Sequence, residues 1–186
     1  MKLLLIDPHE DLCLAWEKQF KNEAMILCTT FQAARFDCLV TPGNSFGLMD
    51  GGVDLAIAEH YPSIERRVQN KIRWLWHGQL PVGNALHIPR ENPDQPDLIY
   101  APTMRVPSNV SNTDHAYQAT WAALIQADHA YGLAPAILCF TGLCTGSGKM
   151  LHEDCAFQMK AAWDQFHSHV PVPMTWDYAY NRGIVE

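Results

Sequence analysis

The chain is short of positive charge, has no long apolar run and has no paired-cysteine motif, and each shortage excludes a class of function. Lys and Arg total 13 against 20 Asp and Glu, for a net charge of −7. That balance argues against broad, sequence-blind binding to nucleic acid. It still permits a local anion site made of backbone N–H groups, which needs no Lys or Arg. The N-terminal apolar run Leu3-Leu4-Leu5-Ile6 stops at Asp7-Pro8, too short for a signal-peptide core or a membrane span. A soluble, cytoplasmic protein with no membrane partner is expected. None of the six cysteines, Cys13, Cys28, Cys38, Cys139, Cys144 and Cys155, forms a C-x-x-C pair. They read as buried, reduced thiols. Nine histidines are present, yet no H-E-x-x-H spacing occurs. His152, clustered with Glu153, Asp154 and Cys155, and the nearby His167 and His169 therefore read as helix-surface histidines, and neither a metal nor a cofactor is expected.

No repeat, low-complexity stretch or linker divides the 186 residues, which suit a single domain over 1–186. Strand-like and helix-like segments alternate, as in α/β architecture. Leu3 to Ile6 is a first strand, with Asp7-Pro8 as the cap and first residue of a helix whose face is Leu12, Trp16 and Phe20. Residues 25–28 and 36–40 are further strands, the second running into a loop at Thr41-Pro42-Gly43-Asn44. A short helix spans 53–59. Ile64, Val68, Ile72 and Leu75 form the stripe of a longer helix that Gly78 can terminate. Residues 85–88 and 98–100 are strands flanking a polar, Pro-rich loop over 90–96. Tyr117, Trp121, Leu124 and Ile125 mark a helix closed by Gly132. Residues 136–140 are a buried strand, and a last helix covers about 152–166. The six Trp, mostly at helical spacing, read as core. The tail after His169 has no assignment.

Two loops carry chemistry. The first is Asn44-Ser45-Phe46-Gly47-Leu48-Met49-Asp50-Gly51-Gly52-Val53-Asp54. Adjacent glycines at a helix start let backbone N–H groups approach an anion closely, and the helix dipole favours it. Asn44 offers a donor and an acceptor for a ribose hydroxyl or a water, and Asp54, in the first turn, can orient either. The second loop, residues 141–148, follows a buried strand and holds Gly142, Thr145, Gly146, Ser147 and Gly148, the composition of an anion nest. A Walker-type loop fails on detail. Leu143 stands where its first Gly is required and Met150 where its Ser or Thr is required. Lys149 reads as a solvated surface residue. Arg105 either lines the cleft or caps a loop, and Phe46 reads as core. Two such loops suit a diphosphate held between two sugars.

At this point the residues resemble the macrodomain family. Val40-Thr41-Pro42-Gly43-Asn44 is similar to its N-A-A-N-type turn, and Gly51-Gly52-Val53-Asp54-Leu55-Ala56-Ile57 to the Gly-rich stretch and V-D-x-A-I that follow. Pro81-Val82-Gly83-Asn84-Ala85 is similar to its C-P-x-G-E-A segment, and residues 136–148 resemble its late strand and S-T-G-x-x-G loop. The matches spread over about residues 24–166. Met49 and Asp50 replace two glycines common in the family, and Thr29-Thr30 stand near the Asp that often contacts adenine there. The resemblance implies a three-layer α/β/α sandwich around a mixed, mostly parallel sheet. It also implies an ADP-ribosyl hydrolase whose ligand is ADP-ribose or an ADP-ribosylated macromolecule. Gly51, Gly52, Val53, Gly142, Thr145, Gly146, Ser147 and Gly148 would hold the diphosphate, with Asn44 and Asp54 catalytic. A non-catalytic ADP-ribose reader and an ADP-ribose-1''-phosphate phosphatase are the alternatives.

Overall fold

In a computed structural model, residues 1–132, 134, 136–168 and 176 are described. His169 and the unassigned tail, Trp176 apart, lie outside that set. The elements run β1 (Lys2–Ile6), α1 (Glu10–Phe20), β2 (Ala24–Leu27), β3 (Cys38–Asn44), α2 (Gly52–His60), α3 (Ile64–Trp76), β4 (Leu86–Ile88), β5 (Asp97–Met104), α4 (His115–Tyr131), β6 (Ile137–Phe140) and α5 (His152–His167). The six strands form one sheet in the order β2-β1-β6-β3-β5-β4. The pairs β1–β2, β1–β6, β3–β6 and β3–β5 are parallel, and the edge strand β4 is antiparallel to β5.

Side chains alternate across a strand, so one strand feeds two cores. Leu3 and Leu5 of β1 face α1, α4 and α5, packing with Leu12, Trp16, Ala119 and Met159. Leu4 and Ile6 face α2 and α3, packing with Ile57, Val68 and Ile72. The result is a three-layer α/β/α sandwich with a mixed, mostly parallel sheet. Parallel strands covered on both faces are apolar throughout, which explains why β5 is buried along its whole length.

Four local expectations need correction. First, α1 begins at Glu10 with His9 at its cap, two residues later than the Asp7-Pro8 signal. The Asp7 carboxylate is engaged elsewhere, accepting from the N–H groups of His9 (3.0 Å) and Gly142 (3.2 Å). Second, β3 does not stop at Val40. Thr41, Pro42, Gly43 and Asn44 continue the ladder against β5, with a register shift between Gly43 and Asn44. Third, Leu75 is 63% exposed, so the buried stripe of α3 is Ile64, Val68 and Ile72 alone. Fourth, Trp16 and Trp163 are core, but Trp74 and Trp176 face solvent.

The amino-terminal ends of the central strands are stitched by two carboxylates. Asp37 accepts from Ile137 N–H at 2.7 Å, and its own carbonyl accepts from Asp97 N–H at 2.9 Å. The Asp97 carboxylate then accepts from Tyr131 (2.5 Å), His87 (2.8 Å) and Arg90 N–H (2.9 Å).

Trp16 is fully buried, and its indole N–H donates to Met159 Sδ at 3.4 Å, tying α1 to α5. Trp16→Ala removes both the packing and that contact. We expect a loss of about 3–5 kcal/mol in urea unfolding; a loss below about 1 kcal/mol would show that α1 is not part of the main cooperative unit.

Candidate functional site

Parallel α/β sheets present their ligand crevices beyond the carboxyl ends of the strands. Here Asp7 follows β1, Thr141 follows β6 and Asn44 ends β3, and all three residues border one groove of about 500 Å³. Both glycine-bearing loops border it too. The residues expected from sequence to hold the diphosphate or to act beside it, namely Asn44, Gly51 to Asp54, Gly142 and Thr145 to Gly148, all line this groove.

The first wall is set by the exit of β3. The β-carbon position of Gly43 lies 2.0 Å from Tyr100 Cζ, so only glycine lets that ring pass beneath the strand. The Tyr100 hydroxyl accepts from Asn44 N–H and donates to Asn44 C=O, both at 2.9 Å. The Asn44 amide then builds the next turn. Its Oδ1 accepts from Phe46 N–H (3.0 Å) and Leu48 N–H (3.3 Å), and its Nδ2 donates to Leu48 C=O (2.7 Å). Met49, one of the residues departing from the glycines common in the family, is buried and plugs the core under this loop. The chain then enters α2 at Gly51, whose N-terminus no side chain caps. The first-turn N–H groups of Gly52, Val53 and Asp54 have no partner within the helix, and all three residues border the groove. No atom lies within 4 Å of a β-carbon placed on Gly51 or Gly52.

The second wall is the loop after β6. The N–H groups of Thr145, Gly146, Ser147 and Gly148 have no acceptor among the described residues. Gly142 and Gly148 are glycines for packing: a β-carbon there would stand 2.6 Å from Leu12 Cδ2 and 2.3 Å from Cys144 C=O respectively. Gly146 is glycine over open space. Cys144 and Lys149 both hold positive φ, 63° and 56°. Two strained residues bracketing four free donors fit a loop shaped for something other than its own stability.

No protein-family model matches the chain. An uncharacterized protein of Aquifex aeolicus (strain VF5) is 34% identical over 124 residues, 66% of this chain and 70% of its own, and the two belong to one family. Solved structures are informative about architecture. The macrodomain of Mycobacterium tuberculosis DarG superimposes with a TM-score of 0.59 at 21% identity, over 71% of this chain and 84% of its own. The macrodomain of Thermus aquaticus DarG gives 0.60 at 13%, over 76% and 87%. A variant of the Oceanobacillus iheyensis macrodomain, solved with ADPR, gives 0.60 at 18%, over 75% of each chain. The chain has the macrodomain fold.

Within this macrodomain fold, Asp54 is a strongly perturbed carboxyl in the groove. It is 6% exposed, and burial pushes its carboxyl up to about 7. The Thr41 hydroxyl donates to Asp54 Oδ1 and opposes the shift, while the Asp50 and Glu65 carboxylates add to it. Cys144 also lines the groove, but burial pushes its thiol up to about 12, so it is no nucleophile near neutral pH. Lys149 is exposed and Arg105 lies over the Phe46 ring at 5.1 Å; none of these three borders the groove.

Sequence reasoning missed Asp7 and His9. His9 Nδ1 sits 2.7 Å from Asp7 Oδ1, and both line the groove with His152. The signal was available: a carboxylate at the end of a buried strand stands where α/β folds place ligands. Among the described residues, no group of three His, Cys, Asp or Glu side chains is placed to hold a metal ion. No helix there is long and apolar enough to cross a membrane.

The Asp54 shift has a sign. The folded carboxyl keeps its proton up to about pH 7, whereas an unfolded one releases it near 4. Its contribution to stability is fully present below about pH 4 and is lost as pH rises through about 7. Asp54→Asn removes this dependence. Relative to wild type, the variant should gain about 3–4 kcal/mol in urea unfolding between pH 4 and pH 8. A difference that stays flat with pH would refute the burial of a titrating Asp54.

Proposed function

We propose that this chain binds ADP-ribose along the groove and hydrolyses the bond joining an ADP-ribosyl group to a macromolecule. The observation that carries the reading is the meeting of two loops, about a hundred residues apart in sequence, whose unpaired N–H groups face one groove. Such donors suit a diphosphate in an otherwise acidic chain, because they bring partial positive charge without a side chain. In this reading the N–H groups of Gly52 and Val53 hold one phosphate and those of residues 145–148 the other. Gly51, Gly142 and Gly148 shape the two walls. Asn44 holds the first loop at the ribose end. The macrodomain solved with ADPR supports the ligand class.

Hydrolysis then needs a water at the anomeric carbon and a group to take its proton. Asp54 is that group. Buried and raised to about 7, it is far more basic than an ordinary carboxylate. Above pH 7 it is ionised and accepts the water's proton as the new carbon–oxygen bond forms and the bond from the anomeric carbon to the macromolecule breaks, its electron pair leaving with the macromolecular group. Catalysis is otherwise positioning. A second reading, a reader that binds without cleaving, is favoured by one observation: both Oδ1 lone pairs and one of the two Nδ2 hydrogens of Asn44 are already used by its own loop.

Gly51 and Gly146 have ordinary φ and open space above them, so Gly51→Val and Gly146→Val fill the groove without touching the core. Both should abolish ADP-ribose binding by calorimetry while unfolding changes by less than about 0.5 kcal/mol. AMP and ATP, titrated beside ADP-ribose, should bind more weakly. In a de-ADP-ribosylation assay, kcat/KM should rise with pH to a plateau above about 7. Asp54→Ala should cost about 10²–10⁴-fold in rate with binding retained. A silent ADP-ribose titration would overturn the ligand assignment; binding without release by the wild type would establish the reader.

A further inference from the structure

The outward face of α3 differs from the rest of the molecule. This helix carries four of the chain's 13 basic residues, Arg66, Arg67, Lys71 and Arg73, and one, Glu65, of its 20 acidic residues. Two of the four are committed to the protein. Arg67 donates to Pro89 C=O and pairs with Glu91 at 3.5 Å, and Lys71 donates to His87 C=O at 2.7 Å. Glu65 is turned inward, accepting from Met49 N–H and the Gln69 amide. The remaining members, Arg66, Asn70, Arg73 and Trp74, with His77 just beyond the helix end, are all exposed. Their spacing places them along one stripe, opposite the buried Ile64, Val68 and Ile72.

Trp74 is 81% exposed. A bare indole costs free energy in water, and the fold gives no return for it. Among the described residues, Trp74 has no ring contact and neither Arg66 nor Arg73 has an ion pair. Arg66 and Arg73 stand about 10 Å apart along the axis.

We propose that this face binds a single-stranded nucleic acid, with Arg66 and Arg73 on backbone phosphates and a base stacked on Trp74. Charge complementarity supplies the attraction, and the stacked ring supplies the preference for an unpaired strand. An acidic peptide would answer the guanidinium groups but bring no flat partner for the indole. A duplex would bring phosphates but keep its bases stacked inside. Two phosphate contacts on a chain of net charge −7 make a local, salt-sensitive site rather than a broad one. The inference is independent of what the groove holds.

The test uses the full chain and a labelled oligothymidylate, followed by anisotropy and tryptophan quenching as salt is raised. Binding should weaken with a log–log slope of about −1.4, the value for two phosphates on a single strand. Trp74→Ala should weaken it about tenfold, and Trp74→Tyr should restore most of that loss. Arg66→Ala with Arg73→Ala should flatten the slope. All are exposed positions, so thermal unfolding should not move. Binding that is absent at low salt, or unchanged in the triple variant, would overturn the proposal. So would equal affinity for a polyglutamate peptide or for the duplex, or sedimentation showing self-association that Trp74→Ala abolishes.

Discussion

The Tyr100 hydroxyl is the contact on which the site's geometry depends. It takes both the N–H and the C=O of Asn44 at the place where the β3 ladder slips register. A side chain from the neighbouring strand thus substitutes for the backbone partner that β3 loses, and no buried polar group is orphaned. Gly43 must lack a β-carbon for the ring to arrive. From there the order is causal. Asn44 is held, its amide folds the turn over residues 45–48, and that turn delivers Gly51 to the start of α2. The Thr41 hydroxyl, on the same strand as Asn44, then donates directly to Asp54, so both ends of this turn are referred to β3.

The same region resolves an apparent contradiction of charge. The chain is acidic, and Asp50, Asp54 and Asp7 all border the groove. Asp54 is held largely protonated below pH 7 by burial, and Asp7 is occupied by Gly142 and His9. The backbone donors of the two loops are thus a source of partial positive charge in a groove that Asp50 also borders.

Architecture was largely legible from the amino acids. Two-residue alternation at Leu3 to Ile6 and four-residue spacing at Leu12, Trp16 and Phe20 reflect the geometry that buries them, and the corresponding elements are present. The glycine-rich loops were legible from composition, with Gly47 and Gly52 held at positive φ and Gly142 and Gly148 required by close packing. Three things were not. The extension of β3 through Thr41, Pro42 and Gly43 looks like loop chemistry, and only pairing to β5 overrides it. The exposure of Trp74 and Leu75 depends on which side of α3 meets the sheet, and a stripe drawn from spacing alone absorbed Leu75. The pairing of Asp7 with His9 depends on β1 lying next to β6, a topological fact that no local pattern carries.

The stitching at the opposite end of the sheet has an evolutionary consequence. Asp37 and Asp97 anchor β3, β5 and β6 at their beginnings, using the strand neighbours and side chains from β4 and α4. The structural cement is thus placed at the end of the sheet away from the groove. A lineage can rewrite the rims of the groove, Asp50 among them, while the foundation underneath stays intact. Drift in recognition and persistence of shape become separable properties, which is how a fold can outlive nearly all resemblance between its sequences.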